Sequence, residues 1–250
     1  ELNNTREFFG LKKKNDFREL YTDGTYTAYM DMPNFVKINL LPENHFFLGP
    51  VIWSPESVKQ TIALKKKNNV YISMGSTGDN KWLPQIIKSV LNNNLNIIVS
   101  GINSAEKVEL LKGIPELKNR SLIEPFLSAE EILPFCKLTV CHGGSGTVYQ
   151  SIACGVPVLC FPKNPDQGLV SMAVMKNNIG RYLTSKKANE TSIENLIIEC
   201  LSNEIIRQNA LNMQLLINQW NTKSRWFQFL NKFKTIRNIK KNFGANELAP

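Results

Sequence analysis

Val140-Cys141-His142-Gly143-Gly144-Ser145-Gly146-Thr147 is the stretch on which the fold turns. A short apolar run reads as a strand, a glycine loop follows it, and Gly146 to Cys154 carries a helical pattern. Strand, tight turn and helix N-terminus in that order make an anion site. The first N–H groups of a helix lack intrahelical partners, the peptide dipoles add positive charge there, and glycines let a ligand approach the backbone. Ser145 and Thr147 contribute hydroxyl donors, and His142, at the carboxyl end of the strand, contributes an imidazole. The loop is not of the Walker type, because no lysine follows its last glycine. Nor is it G-x-G-x-x-G, because Tyr149 stands where the third glycine belongs. Taken alone, the same residues also fit a plain strand-to-helix turn with a serine cap.

Outward from this loop the chain alternates short β-rich runs with amphipathic stretches, the pattern of a parallel sheet with crossover helices. Strands are expected at Val70 to Met74, Asn96 to Ser100, Arg120 to Ile123, Leu138 to Cys141, Pro157 to Phe161 and Ile179 to Leu183. Between them fall helices at Trp82 to Leu91, Ala105 to Leu111, Ser128 to Phe135, Gly146 to Cys154 and Gln167 to Asn177. Ser128 with Glu131 three residues later reads as a capping box. After Thr191 the chain reads as wholly helical: Ile193 to Leu201, Ile205 to Trp220 and Arg225 to Ile239. The fold class is therefore α/β, a Rossmann-like parallel sheet with helices on both faces. Residues 65–221 form that domain, 1–64 the end of a preceding domain plus linker, and 222–250 a basic C-terminal helix and tail.

Two more turns fall at the same carboxyl edge of the sheet. Met74-Gly75-Ser76-Thr77-Gly78 follows the first strand, and Pro162-Lys163-Asn164-Pro165-Asp166-Gln167 follows the strand after the histidine loop. Three polar turns converging on one edge define a site.

Composition narrows the class. The chain has 250 residues, with 42% hydrophobic and 20% charged, ordinary for a globular protein. Ile152 to Phe161, the best apolar stretch, is broken by Gly155 and Pro157 and is too short for a bilayer core of about 30 Å. The net charge of +9 is concentrated in short lysine runs, Lys12 to Lys14 and Lys65 to Lys67, and near the C-terminus. No nucleic-acid-binding motif accompanies it, so nucleic acid is not an expected partner. Five cysteines, Cys136, Cys141, Cys154, Cys160 and Cys200, include no C-x-x-C, and no histidine pair is spaced for zinc. Free thiols in a reducing compartment, with no secretory signal after Glu1, give a cytoplasmic expectation.

Met74-Gly75-Ser76, Phe126 to Leu133, His142 to Thr147 and Asp166-Gln167, in that order and at that spacing, resemble the family 1 nucleotide-sugar glycosyltransferases of GT-B fold. The likeness is strongest to bacterial macrolide-type and plant or animal UDP-glycosyltransferases. It runs from about Asn68 to Leu201, the donor-binding C-terminal half. Upstream, Thr22-Asp23-Gly24, Asp31-Met32-Pro33 and Leu48-Gly49-Pro50-Val51 look like the end of the acceptor domain. By this resemblance His142, Gly143, Gly144, Ser145, Gly146, Thr147 and Ser76 hold the donor diphosphate. Phe126 stacks on the base and the backbone of Leu127 reads its edge. Gln150 meets the ribose, and Asp166 and Gln167 hydrogen-bond the sugar.

Two positions depart from the family pattern. Ser128-Ala129 stands where the family has Pro-Gln, and Gln150 stands where it commonly has a ribose-binding glutamate. A carboxylate accepts charge-assisted bonds about twice as strong as neutral ones, whereas an amide still offers one acceptor oxygen. The resemblance implies transfer from a UDP- or dTDP-linked sugar to a hydroxyl of a small molecule or lipid, with inversion and without metal or other cofactor. The general base is expected upstream, in an acceptor domain or partner. His45, in a turn before a strand, reads as a surface residue, so this chain alone is not expected to catalyse efficient transfer. A nucleotide-sugar-binding module without catalysis is the alternative.

Trp82, Trp220 and Trp226, among aliphatics on helical segments, read as core. Arg225 to Lys241 could place Trp226, Phe229, Leu230, Phe233, Ile236 and Ile239 on one face with basic residues opposite. A terminal helix docked on protein is the favoured reading, and a peripheral membrane helix the other.

Overall fold

The structure is a computed structural model that describes residues 1–16, 19–20, 23–53, 68–75 and 80–243, with side chains as far as 232. Ser76, Thr77, Gly78, Thr22 and Lys65 to Lys67 lie outside the described residues, as do the side chains of Phe233, Ile236 and Ile239. The chain divides into two compact units, Pro50–Trp220 and Glu1–Gly49 with Asn221–Pro250.

In chain order the elements of the first segment are α1 (Leu2–Phe8), β1 (Thr27–Tyr29) and β2 (His45–Phe47), the last two paired in parallel. Met32, Phe35 and Leu48 are buried beside them. Arg6 and Lys14 both reach the Asp23 carboxylate, at 2.7 and 2.5 Å, and hold its pKa below the usual value.

The larger unit contains β3 (Asn69–Ser73), α2 (Leu83–Asn92), β4 (Asn96–Ser100), α3 (Ser104–Gly113), α4 (Leu117–Arg120) and β5 (Ser121–Glu124). It continues with α5 (Ala129–Ile132), β6 (Cys136–Cys141), α6 (Ser145–Ala153), β7 (Val158–Cys160), α7 (Pro165–Lys176), β8 (Gly180–Tyr182), α8 (Glu190–Ser202) and α9 (Glu204–Gln219). Every strand pair is parallel, in the order β5-β4-β3-β6-β7-β8. The chain thus builds outward from β3 in one direction, then returns to build outward from β6 in the other. The order reverses between β3 and β6, and at such a reversal a crevice opens beyond the strand ends.

Period-two alternation explains why both faces of the sheet are covered. Val70 and Ile72 of β3, with Ile97 and Val99 of β4, pack against Ile86, Ile87 and Val90 of α2 and Ile193 and Ile197 of α8. Tyr71 and Ile98, one residue out of phase, face Ala129, Ile132 and Leu133 on the other side. The six expected strands and the helices between them are all present, with ends shifted by a few residues.

The caps differ from the sequence reading. Ser128 precedes α5 but its side chain makes no cap hydrogen bond, so the expected capping box does not form. α5 is only four residues long before a 3₁₀ turn at Leu133–Phe135. Asparagines do the capping instead: Asn103 Oδ1 accepts from the Glu106 N–H while the Asn103 N–H donates to the Glu106 carboxylate, and Asn189 Oδ1 accepts from the Ser192 N–H while the Asn189 N–H donates to the Ser192 hydroxyl.

The C-terminal helix α10 (Thr222–Phe243) groups with the first 49 residues rather than standing apart. Phe229 sets its ring against Tyr26 and Phe46, with centroids at 6.3 and 5.3 Å, and Trp226 packs on Phe229. Trp226 and Phe229 of its apolar face are therefore packed on protein, while Leu230 stays 45% exposed. Trp82 is half-buried against the sheet core, as expected for a core residue. All five cysteines are free, and burial pushes the thiols of Cys136 and Cys200 up to about 12, which leaves them inert.

Ile72, fully buried on the central strand, is expected to lose about 3 kcal/mol on replacement by alanine. Phe126, 57% exposed, should lose no more than about 0.5 kcal/mol. Urea denaturation of the two variants measures both, and comparable losses at the two positions would contradict this assignment of core and surface.

Candidate functional site

The site begins with one ring in a slot. His142 follows β6 directly, and its imidazole lies between Gly75, which follows β3, and Gly144. A Cβ on Gly75 would come 2.5 Å from His142 Cε1, and one on Gly144 would come 2.5 Å from Nε2. No side chain fits at either position without expelling the ring. Gly75 also has φ of +61°, in the left-handed region that disfavours any residue with a Cβ. Strands β3 and β6 are neighbours, with Ser73 registered on Cys141, so the slot sits at the reversal of strand order.

The imidazole is half-buried, and its Nδ1 is sealed from solvent. Burial lowers the His142 pKa below the ordinary imidazole value, and the nearby backbone of Ser73 works against that shift. At neutral pH the ring is uncharged and carries one N–H donor.

Beyond His142 the loop passes through Gly143, with φ of +86°, into Gly144, the N-cap of α6. Gly144 offers no capping side chain, so the first N–H groups of α6 are left for an anion. Ser145 and Gly146 are exposed, and a Cβ on Gly146 would meet nothing within 4 Å. This is open space above a helix N-terminus.

Thr147 connects the loop to a cavity of about 190 Å³, where it is joined by Phe126, Leu127 and Gln150. The sequence reading assigned these three to base and ribose, and the structure brings them to one cavity. A larger cavity of about 400 Å³ lies between α2 and α3 and contains none of the residues singled out above.

The cavity holds residues that the sequence reading missed. Tyr71 Oη and Ser100 Oγ are 2.6 Å apart, and Ser73 and Ser100, the last residues of adjacent strands, share a register. Burial raises the Tyr71 pKa, partly offset by the hydroxyls of Ser100 and Ser73, so the phenol keeps its proton. The available signal was a serine closing each strand at one sheet edge. Trp53, also lining the cavity, carried no local signal.

The third turn divides its two expected residues. Asp166 is exposed on the first turn of α7, behind the Asn164 cap. Gln167 is turned inward, 2% exposed, and its Oε1 accepts from the Lys163 N–H at 2.8 Å. Its side-chain oxygen therefore braces the turn. Ser171 donates to the Gln167 carbonyl at 2.7 Å, and that carbonyl lies 3.0 Å from where a Cβ of Gly143 would be, so this turn abuts the histidine loop. Ser76 lies outside the described residues. Among those described, no three His, Cys, Asp or Glu side chains gather to hold a metal, and no helix is long and apolar enough to cross a membrane.

The fold is that of the C-terminal half of GT-B glycosyltransferases. A kitacinnamycin glycosyltransferase superposes with a TM-score of 0.73 at 14% identity, over 92% of this chain and 60% of its own. The glycosyltransferase VinC, solved in complex with dTDP, superposes at 0.64 and 18% identity, over 88% of this chain and 53% of its own. The chain belongs to the erythromycin biosynthesis protein CIII-like family, whose C-terminal domain matches residues 85–216. A PGL/p-HBAD biosynthesis glycosyltransferase of Mycobacterium tuberculosis is 31% identical over 213 residues, covering 84% of this chain and 48% of the relative. The chain thus spans about half the length of the curated relatives it matches.

With only two histidines in the chain, NMR titration can resolve the His142 ring from His45. It should titrate below about 6.5 in the free protein. Because the folded value is depressed, any stability this group contributes is present above the ordinary value and is lost as pH falls through the folded one. A His142 titration at or above 6.5 would contradict the burial assigned to it.

Proposed function

We propose that this chain is the donor-binding half of an inverting glycosyltransferase that takes a UDP- or dTDP-linked sugar. The observation that carries the reading is the neutral imidazole of His142, held between Gly75 and Gly144 beside the uncapped N-terminus of α6. Relatives named as glycosyltransferases and a structural neighbour solved with dTDP support it.

In this reading the diphosphate lies over Gly143 to Thr147, where the α6 N-terminus contributes about 1 kcal/mol to holding negative charge. Phe126 stacks on the base, the backbone of Leu127 reads its edge, and the free Gln150 oxygen accepts from a ribose hydroxyl. Asp166 meets the sugar hydroxyls from the first turn of α7. Gln167, its oxygen already engaged, supports that turn. Ser76, on the segment after Gly75, completes the phosphate contacts.

Transfer proceeds by attack of an acceptor oxygen on the anomeric carbon, as the bond from that carbon to the phosphate oxygen breaks. The acceptor proton passes to a base. Negative charge then develops on the leaving diphosphate, and a donor placed like the His142 N–H can contribute about 3 kcal/mol to that step. The base and the acceptor site, for a small molecule or lipid hydroxyl, belong to an acceptor domain or partner. A cytoplasmic location suits the five free thiols. No metal or further cofactor enters this scheme. A module that binds the nucleotide sugar without transfer is the second reading, favoured by the replacement of a carboxylate with the amide of Gln150.

Thermal shift with UDP, dTDP, GDP and ADP tests the donor site. Ligand at about a hundred times its Kd stabilises by about 2.7 kcal/mol, and UDP or dTDP should give the largest shift. His142→Ala, costing about 3 kcal/mol of binding if the whole effect is felt in the ground state, should abolish it. Equal shifts for all four nucleotides, or an unchanged shift in His142→Ala, would contradict the proposal.

A further inference from the structure

Trp53 is 67% exposed and Phe126 57% exposed, and both line the cavity of about 190 Å³ beyond β3 and β4. Two large aromatic side chains bordering one small cavity, neither absorbed by the core, form a surface suited to a flat apolar ligand. The rest of the lining mixes the hydroxyls of Tyr71, Ser100 and Thr147 with apolar Pro125, Leu127 and Ala129.

A long-range bond holds Trp53 at this cavity. Gln150 Nε2 donates to the Trp53 carbonyl at 2.8 Å across 97 residues of sequence. Gln150 sits on α6, which is fixed to β6 where Ser151 Oγ donates to Thr139 Oγ1 at 2.9 Å in a buried contact. The backbone at Trp53 is therefore tied to a rigid element, and with it the start of the indole side chain.

We infer that Trp53 is a second aromatic wall of the nucleotide-base site, and that Gln150 is the positioning residue that holds it there. This rests on the nucleotide reading above. It also accounts for an amide at Gln150. An amide has a donor for the Trp53 carbonyl and an oxygen for a ribose hydroxyl, whereas a carboxylate has no donor and would set negative charge against the carbonyl oxygen.

The test uses the full chain, with calorimetric Kd values for UDP and for inorganic pyrophosphate. Trp53→Ala should bind UDP about tenfold more weakly, the scale of one base–aromatic stack, with pyrophosphate binding unchanged. Trp53→Phe should recover part of the loss. Gln150→Glu should weaken UDP several-fold even though its carboxylate is the stronger ribose acceptor. The tryptophan fluorescence change that accompanies UDP binding should vanish in Trp53→Phe and shrink in Gln150→Glu.

UDP binding to Trp53→Ala at wild-type affinity would overturn the inference, as would equal losses for UDP and pyrophosphate, which indicate general loosening. Tighter or unchanged UDP binding in Gln150→Glu would remove its positioning role. If the wild type binds pyrophosphate and UDP equally, the base site fails while the phosphate loop stands. If it binds neither, the nucleotide reading falls and the second wall falls with it.

Discussion

The slot for one imidazole constrains the rest of this unit. His142 can keep its position only if the second residue after β3 and the second residue after the histidine itself both lack a Cβ, and Gly75 and Gly144 meet that condition. One of these glycines comes from the neighbouring strand end, so the slot exists only while β3 and β6 are paired in register. Their pairing is also where the strand order reverses, which opens the crevice above them. Core packing, through Ile72 on β3 and Val140 on β6, is thereby linked to the placement of a single polar ring.

The architecture could be read from the chain because parallel strands are buried on both faces and so appear as short continuous apolar runs. Val70 to Met74 and Leu138 to Cys141 are of this kind, and their burial is nearly complete. Helix ends were less readable. Ser128 and Glu131 have capping-box spacing, but α5 closes after one turn into a 3₁₀ segment and the cap bond is not made. Asn103 and Asn189 cap with the same geometry without having stood out from their surroundings. The grouping of α10 with the first 49 residues was beyond local pattern, since a stripe such as Trp226 and Phe229 does not name its partner. Here the partners are Tyr26 and Phe46, far upstream in the chain.

The site was readable to the extent that its chemistry is local. A histidine, three glycines and two hydroxyl residues in eight positions announce a loop, and the loop is where it was expected. Contributions depending on register were not visible. Ser73 and Ser100 become a pair only when β3 and β4 align, and Tyr71 reads as one more apolar strand residue until its hydroxyl meets Ser100. Gln167 shows the converse. Its neighbour Asp166 remains exposed, but one residue of helical rotation turns Gln167 inward and engages its oxygen with the Lys163 N–H.

The electrostatic character of the site follows from the same packing. A charged imidazole would suffer twice here, from desolvation in the slot and from the positive end of α6, and burial already holds the ring neutral. A neutral N–H attracts an anion less at long range than a cation would. The chain as a whole carries +9, so long-range attraction is available from many exposed lysines and arginines while the short-range contacts remain dipolar. Oriented dipoles that are already fixed before charge develops need not reorganise when it does. The slot thus trades the initial pull of a buried cation for a donor whose direction is set by two glycines and one strand register.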